Sequence, residues 1–146
     1  MPASLPVHAT VTYKFSATPE RIFDAWLDTG MISKFMFGPQ LRDEEIVSIK
    51  TDAHVGGSFS FVVRRQGVEF DHIGEYIEIS RPHRLVFSWA VRQNLPESSR
   101  IVIEIAPLPT GCELTLTQEM SSNWAGFKDQ AKAAWTKMLL ALADNL

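Results

Sequence analysis

The sequence contains very little cysteine, no long apolar run and little excess charge. Cys112 is the only cysteine among 146 residues, so an internal disulfide is impossible and a reducing compartment fits best. No apolar stretch approaches the length of a membrane span, and the first residues lack the charged and hydrophobic regions of a signal peptide. A net charge of -3 gives no electrostatic reason to expect nucleic acid or an anionic membrane as partner. We therefore expect a cytoplasmic protein, with residues 1–146 as a single domain.

Motifs for metals, phosphates and covalent catalysis are also lacking. The four histidines have no short ligand spacing to one another or to Cys112, which argues against a zinc site. Gly56 and Gly57 are not followed by the lysine and helix of a phosphate-binding loop. Ser58 and Ser88 lack the flanking glycines of a nucleophile elbow. We therefore predict no metal and no cofactor, and nothing in these motifs requires an enzyme.

The last two dozen residues have the pattern of one long amphipathic helix, from Asn123 to Leu146. Its apolar residues recur at intervals of three and four, which places them on one stripe. They are Trp124, Phe127, Ala131, Ala134, Trp135, Met138, Leu139, Leu142 and Leu146. A stripe this wide has to be buried against something large.

The preceding chain alternates between apolar and polar residues, as half-buried strands do. The predicted strands lie near Val7–Phe15, Leu41–Lys50, Ser58–Arg65, Glu69–Ile79, Arg84–Arg92, Ser99–Ala106 and Glu113–Gln118. The clearest hairpin signal is Gln66-Gly67, since glycine supplies the positive φ of a tight connection. After the first strand, Thr18 and Pro19 begin a short helix that ends at Thr29-Gly30, and Met31–Met36 forms a second. These elements predict an α+β fold with an antiparallel sheet.

Several segments, taken in order, also resemble those of a known family. They are Phe15–Trp26, Phe35–Pro39, Val55–Phe61, Gly74–Ile79, Arg81–Trp89 and the closing helix with Trp135. Together they resemble the activator of heat-shock protein 90 ATPase homologue family, part of the START-like superfamily that is also called SRPBCC or Bet v 1-like. The resemblance extends over essentially the whole chain and is more specific for the fold than for any activity.

The resemblance implies a helix-grip fold, in which a curved antiparallel sheet of six to seven strands surrounds the C-terminal helix and leaves an apolar cavity. Two departures from relatives concern this cavity. Phe35 and Met36 stand where relatives often carry paired tryptophans, and Ala134-Trp135 stands where many have Gly-Trp. Eukaryotic chaperone activators of this family also have a separate N-terminal domain that this chain lacks, which puts direct chaperone stimulation in doubt.

Strand alternation selects the residues that face the predicted cavity. Most are aromatic, and methionine adds an adaptable, polarisable contact for apolar ligands. The candidates are Phe35, Phe37, Phe61, Phe87, Trp89, Trp135 and Met138. For any one of them, ordinary core is the default interpretation, and the lining of a cavity is the more specific hypothesis.

The strand Glu69–Ile79 supplies the polar candidates for the site. If Ile73, Ile77 and Ile79 face inward, the same alternation turns Asp71 and Glu75 inward, and Glu75 becomes a candidate general base or ligand anchor. The residues expected to face outward are Phe70, His72, Tyr76 and Glu78. The alternative is a bulge at Gly74, which would turn Asp71 outward and Phe70 and His72 inward.

Three functions compete. The first is binding of a small apolar or aromatic molecule between sheet and helix, with cavity residues that include Ile73 and Glu75. The second is a cyclase- or hydrolase-like enzyme for aromatic or polyketide-type substrates, such as the START-like superfamily includes; its catalytic candidates are Glu75, Asp71, His72 and Tyr76. The third is an interaction module, either a co-chaperone or a homodimer, that uses an exposed face. We favour the first.

Overall fold

Seven antiparallel strands form one curved sheet in the computed structural model, which describes residues 5–39 and 41–146. They are β1 (Val7–Phe15), β2 (Glu45–Thr51), β3 (Ser58–Arg65), β4 (Val68–Ser80), β5 (Arg84–Val91), β6 (Ser99–Leu108) and β7 (Gly111–Met120). Their order across the sheet is β1-β7-β6-β5-β4-β3-β2. Each strand therefore pairs with its neighbours in sequence, except that β1 pairs with β7 and leaves β2 at the opposite edge.

Three helices accompany the sheet: α1 (Pro19–Ala25), α2 (Thr29–Phe35) and α3 (Lys128–Asp144). Thr18 caps α1 as predicted, since its hydroxyl accepts the Arg21 N–H at 3.2 Å. The predicted boundary at Thr29-Gly30 is wrong. Asp28 caps α2 by accepting the N–H groups of Gly30 and Met31 at 2.8 and 3.2 Å, so Thr29 begins the second helix instead of ending the first.

The curved sheet wraps around the long helix α3. Its buried stripe consists of Ala131, Trp135, Met138, Leu139 and Leu142. The helix begins at Lys128, later than predicted, because Ser122–Phe127 forms a 3-10 segment that leads into it. The predicted α+β helix-grip fold, with two short helices after the first strand, is confirmed. Among the described residues, no helix is long and apolar enough to cross a membrane.

The described residues between α2 and β2, 36–39 and 41–44, are in neither a helix nor a strand and form the α2–β2 loop, whereas the sequence predicted that a strand would begin at Leu41. Within it, the Leu41 carbonyl accepts a hydrogen bond from the Lys137 ammonium of α3. Glu44, the last residue before β2, is buried. The loop is therefore attached to α3, and its Phe37 is among the most deeply buried side chains.

The β3–β4 hairpin has the predicted tight turn. Gln66 and Gly67 have φ values of 52° and 79°, both in the left-handed region that a two-residue hairpin connection requires. The turn fixes the register of the two strands, in which Phe61 pairs with His72 and Phe59 with Gly74.

This register corrects the predicted faces of β4. Phe59 and Phe61 are buried, so their partners Gly74 and His72 share the inner face. Tyr76 is inward too, opposite buried Phe87. The register shift occurs between Tyr76 and Glu78, so neither the uninterrupted alternation nor a bulge at Gly74 describes the strand.

Candidate functional site

A pocket of about 360 Å³ lies between the inner face of the sheet and the first half of α3. The sheet contributes residues from β3 to β7, the α2–β2 loop contributes Phe37 and Arg42, and the 3-10 segment contributes Trp124 and Phe127. At its rim are the exposed residues Asn94 and Ser98 of the β5–β6 connection.

Aromatic rings form the main wall of this pocket. Trp89 lies 6.5 Å from Phe37 in a stacked arrangement and 5.6 Å from Trp135, between ring centroids. Trp124 and Phe127 contact each other edge to face at 5.5 Å. Met138 completes the apolar lining from α3. Such a wall offers flat, polarisable surface to a planar ligand.

A chain of hydrogen bonds connects the Trp135 side chain to the backbone of Trp89. The Trp135 indole Nε1–H donates to Oε1 of buried Gln118 at 2.8 Å. The Gln118 amide donates to the Ser99 hydroxyl at 3.0 Å, and that hydroxyl donates to the Trp89 carbonyl at 3.1 Å. Because buried polar groups are costly unless paired, this chain specifies the orientation of Trp135 relative to β5.

His72 is the one histidine on the pocket wall within the described residues. Its Nδ1–H donates to the Phe61 carbonyl at 3.1 Å, since a carbonyl oxygen can only accept. Burial lowers the pKa of His72, although this backbone hydrogen bond acts in the opposite direction. In the neutral ring Nε2 is then an acceptor, and it has no hydrogen bond to any part of the chain that the structure describes.

A buried carboxylate with two arginines forms the polar end of the pocket. The Glu44 side chain is 0% exposed and accepts hydrogen bonds from Arg65 Nε at 2.8 Å and from the Gly38 N–H at 2.8 Å. Arg42 Nη1 lies 3.4 Å from the same carboxylate and donates to the Met36 carbonyl at 3.1 Å. Both arginines line the pocket, whereas Glu44 does not.

The cavity candidates from the sequence fall into three groups. Phe37, Trp89, Trp135 and Met138 line the pocket. Phe35, Phe61 and Phe87 are buried core that does not line it. Ile73 and Glu75 were placed on the wrong face, because both line a separate depression of about 620 Å³ on the outer face of the sheet.

Of the four acid–base candidates, only His72 lines the pocket. Asp71 is on the outer side, where it accepts hydrogen bonds from the Ser60 hydroxyl at 2.6 Å and Arg92 Nε at 3.0 Å. Tyr76 is buried away from the pocket and its hydroxyl is hydrogen-bonded to Thr51. Glu75 is exposed.

Replacement of Glu75 tests this correction. Because the carboxylate is exposed, Glu75→Gln should change the free energy of unfolding by less than about 0.5 kcal/mol. An inward, unpaired carboxylate would instead make the variant more stable. Urea denaturation of the two proteins measures the difference, and a clear stabilisation by Glu75→Gln would restore the inward placement.

His72 should make stability depend on pH. The unfolded chain protonates this histidine near its ordinary pKa of 6.5, whereas the folded protein does so only at lower pH. The free energy of unfolding should therefore fall as the pH drops from 6.5 to the folded pKa, and His72→Gln should remove that part of the fall. Urea denaturation over this range measures it, with His83→Gln, at an exposed site, as the control. An equal fall in wild type and His72→Gln would contradict the buried, neutral imidazole.

The sequence reasoning missed Arg42, Arg65, Glu44 and Gln118. Two of them carried a signal: Arg65 continues the inward alternation of β3, and Gln118 continues that of β7. A polar residue that continues an apolar alternation indicates either the end of the core or a functional group. Glu44 and Arg42 precede β2 in an irregular loop, where alternation gives no information.

The residues that the structure describes contain no group of three or more His, Cys, Asp or Glu side chains placed to hold a metal ion. The thiol of Cys112 is buried on β7, and burial raises its pKa. A raised pKa disfavours the thiolate, and the side chain is part of the buried core.

Comparison with known proteins gives a family and several similar folds. Residues 16–146 match the model of the family described as activator of Hsp90 ATPase homolog 1-like protein. A crystal structure from Chromobacterium violaceum is 24% identical, covers 94% of each chain and has a TM-score of 0.81. One from Nitrosomonas europaea is 15% identical over 99% of this chain and 96% of its own, with a TM-score of 0.80. An AHSA1-like protein from Aeromonas hydrophila, solved by NMR, is 18% identical over 94% and 90%, with a TM-score of 0.75. No curated protein matches the sequence.

Proposed function

Since the chain belongs to the activator of Hsp90 ATPase homolog 1-like family, we propose that it binds a small apolar or aromatic molecule in the pocket between sheet and α3. The observation that carries the proposal is the aromatic wall of Phe37, Trp89 and Trp135 around about 360 Å³ of space. That volume is near the lower end of the range for small-molecule sites, which favours a ligand of one or two rings.

The fixed orientation of the wall supports binding over simple core packing. Trp135 is hydrogen-bonded through Gln118 and Ser99 to the backbone of β5, so its ring is held in place with or without a ligand. A preformed wall loses little conformational entropy on binding. The ligand then gains contact with surfaces that no other side chain covers.

Of the four predicted acid–base residues, only His72 is on the pocket wall, so among these four it is the candidate for an enzymatic role. Its free Nε2 could accept a hydrogen bond or a proton. A single such group orients a ligand as readily as it catalyses a reaction, so we propose binding as the function. A cytoplasmic location remains a prediction, and an interaction module that forms a homodimer or acts as a co-chaperone remains the alternative hypothesis.

The test introduces a large side chain on α3 that fills the pocket. Ala134 lines the pocket, whereas the neighbouring Ala133 is exposed on the outside of the same helix. Isothermal titration of the wild type with 2-naphthylmethanol, a neutral two-ring probe, should give saturable binding. Ala134→Trp should abolish it, because the new indole occupies the space.

Ala133→Trp is the matched control, since it adds the same side chain to solvent and should bind as the wild type does. Thermal denaturation verifies that both variants are folded. Equal binding by the folded Ala134→Trp protein would place the probe elsewhere, and the absence of binding to the wild type would refute the proposal for ligands of this class.

A further inference from the structure

The polar end of the pocket carries more positive than negative charge. Two guanidinium groups, Arg42 and Arg65, share the single carboxylate of Glu44. Glu44 is fully buried behind them, whereas Arg42 and Arg65 line the pocket. One positive charge at this end is therefore not balanced by its immediate neighbours.

Several N–H groups of the two arginines have no partner among residues 5–39 and 41–146. Arg65 uses only Nε on Glu44, and its guanidinium carbon lies 5.0 Å from the centroid of the Phe70 ring. Arg42 uses only Nη1, for Glu44 and the Met36 carbonyl. The remaining N–H donors belong to planar guanidinium groups, whose paired N–H groups match the two oxygens of a carboxylate.

These donors are also partly removed from solvent. The side chains of Arg42 and Arg65 are 24% and 36% exposed. Burial lowers the pKa of Arg42, and the charge of Arg65 acts in the same direction. An anion bound here would offset both effects.

The apolar wall is continuous with this polar end. His72 connects them: its ring centroid lies 4.9 Å from that of Phe37 and 5.5 Å from that of Trp89, and the charges of Arg65 and Arg42 help to lower its pKa. The third charged group on the pocket wall is Glu97, on the β5–β6 connection. Its carboxylate accepts hydrogen bonds from Trp124 Nε1 at 3.0 Å and the Ser121 hydroxyl at 3.4 Å, so it is paired with these donors and not with the arginines.

We propose that the ligand is an aromatic carboxylate, with its ring against Trp89 and Trp135 and its carboxylate at Arg42 and Arg65. This inference rests on the proposed function and narrows it to one chemical class. A neutral aromatic molecule would occupy the same wall but would leave the arginine donors unused. Charge-assisted hydrogen bonds to a guanidinium are stronger than neutral ones, so the carboxylate should be preferred.

The experiment compares two probes of the same ring system at neutral pH, 2-naphthoate and 2-naphthylmethanol. Isothermal titration of the wild type should give a dissociation constant about tenfold lower for the carboxylate. In Arg42→Gln, which leaves the Arg65–Glu44 pair intact, the two probes should bind about equally. Arg64→Gln is the matched control: Arg64 pairs with Glu45 and Glu69 and does not line the pocket, so its removal should preserve the preference.

The outcomes separate this inference from the proposed function. Equal binding of both probes to the wild type, or an undiminished preference in folded Arg42→Gln, would refute the arginine site and leave the binding proposal intact. Binding of neither probe would refute both. If Arg42→Gln does not fold, the titrations of the wild type are repeated at higher salt concentration. The preference for 2-naphthoate over 2-naphthylmethanol should then decrease, because salt screens the charge of the arginines. A preference that does not change with salt would overturn the inference.

Discussion

Glu44→Gln should lower the free energy of unfolding by about 2 to 4 kcal/mol. The wild-type carboxylate is fully buried and accepts hydrogen bonds from Arg65 and from the backbone of Gly38. An amide at this position cannot accept from all of these donors and turns its own N–H₂ group toward a guanidinium. The loss in free energy of unfolding stays below that for a fully buried unpaired charge, because both arginines are partly exposed and water can hydrate them in the variant.

The adjacent glutamate provides the control. Glu45 is exposed and pairs with Arg64 at 2.8 Å on the surface, so Glu45→Gln should cost less than about 1 kcal/mol. Urea denaturation of the three proteins measures both differences. Similar losses for Glu44→Gln and Glu45→Gln would contradict the burial of the Glu44 carboxylate and its hydrogen bonds to Arg65 and Gly38.

Trp135→Ala should destabilise the protein by about 3 kcal/mol, at the lower end of the range for a truncated core aromatic residue. The side chain is 3% exposed and contacts Trp26 and Trp89 at 6.2 and 5.6 Å between ring centroids. One side of it lines the pocket, however, so part of its surface has no packing contact to lose. Truncation also removes the donor to Gln118 and leaves that amide oxygen buried.

Trp135→Phe separates the contribution of ring packing from that of the hydrogen bond to Gln118, because it retains an aromatic ring and removes only the indole N–H and some volume. It should cost about 1 to 2 kcal/mol, mainly through the unpaired oxygen of Gln118. Chemical denaturation gives both values. A loss of less than about 1 kcal/mol for Trp135→Ala would contradict the burial of this residue between sheet and helix.

The fold was predictable where burial leaves a clear repeat in the sequence. In β3 and β6, alternate residues such as Phe59, Phe61, Ile101 and Ile103 are apolar and buried, so the face of each strand could be assigned. The stripe of α3 was assigned by the same reasoning. Boundaries were less accurate, because Asp28 caps a helix that local propensity alone would begin later.

The faces of β4 could not be assigned in this way. Its inner positions carry His72 and Gly74, whereas the outer positions carry Ile73 and Ile77, so hydrophobicity alone favours the wrong face. The inward position of Gly74 requires glycine, because a Cβ there would lie 2.0 Å from the Ser88 carbonyl oxygen and 2.4 Å from the Phe59 ring. The register shift after Tyr76 then returns Ile79 to the core side. In the sequence, therefore, the spacing of Ile73, Ile77 and Ile79 suggests one inner face, although the three side chains do not share it.

The polar end of the site was unpredictable for a different reason. Glu44, Arg42 and Arg65 come from a loop and from the end of a strand, and only the folded chain brings them together. Nothing in their spacing distinguishes them from solvated surface charges. The aromatic wall, in contrast, was partly identified, since three of its predicted members, Phe37, Trp89 and Trp135, line the pocket.

The central claim is that an aromatic ligand occupies the pocket under α3, and intermolecular NOEs test it most directly. Isotope-labelled protein saturated with 2-naphthylmethanol should show NOEs from the naphthalene protons to the indole protons of Trp89 and Trp135 and to the methyl group of Met138. NOEs to Ile73 and Lys50 instead would place the ligand in the depression on the outer face of the sheet. That result would contradict the account.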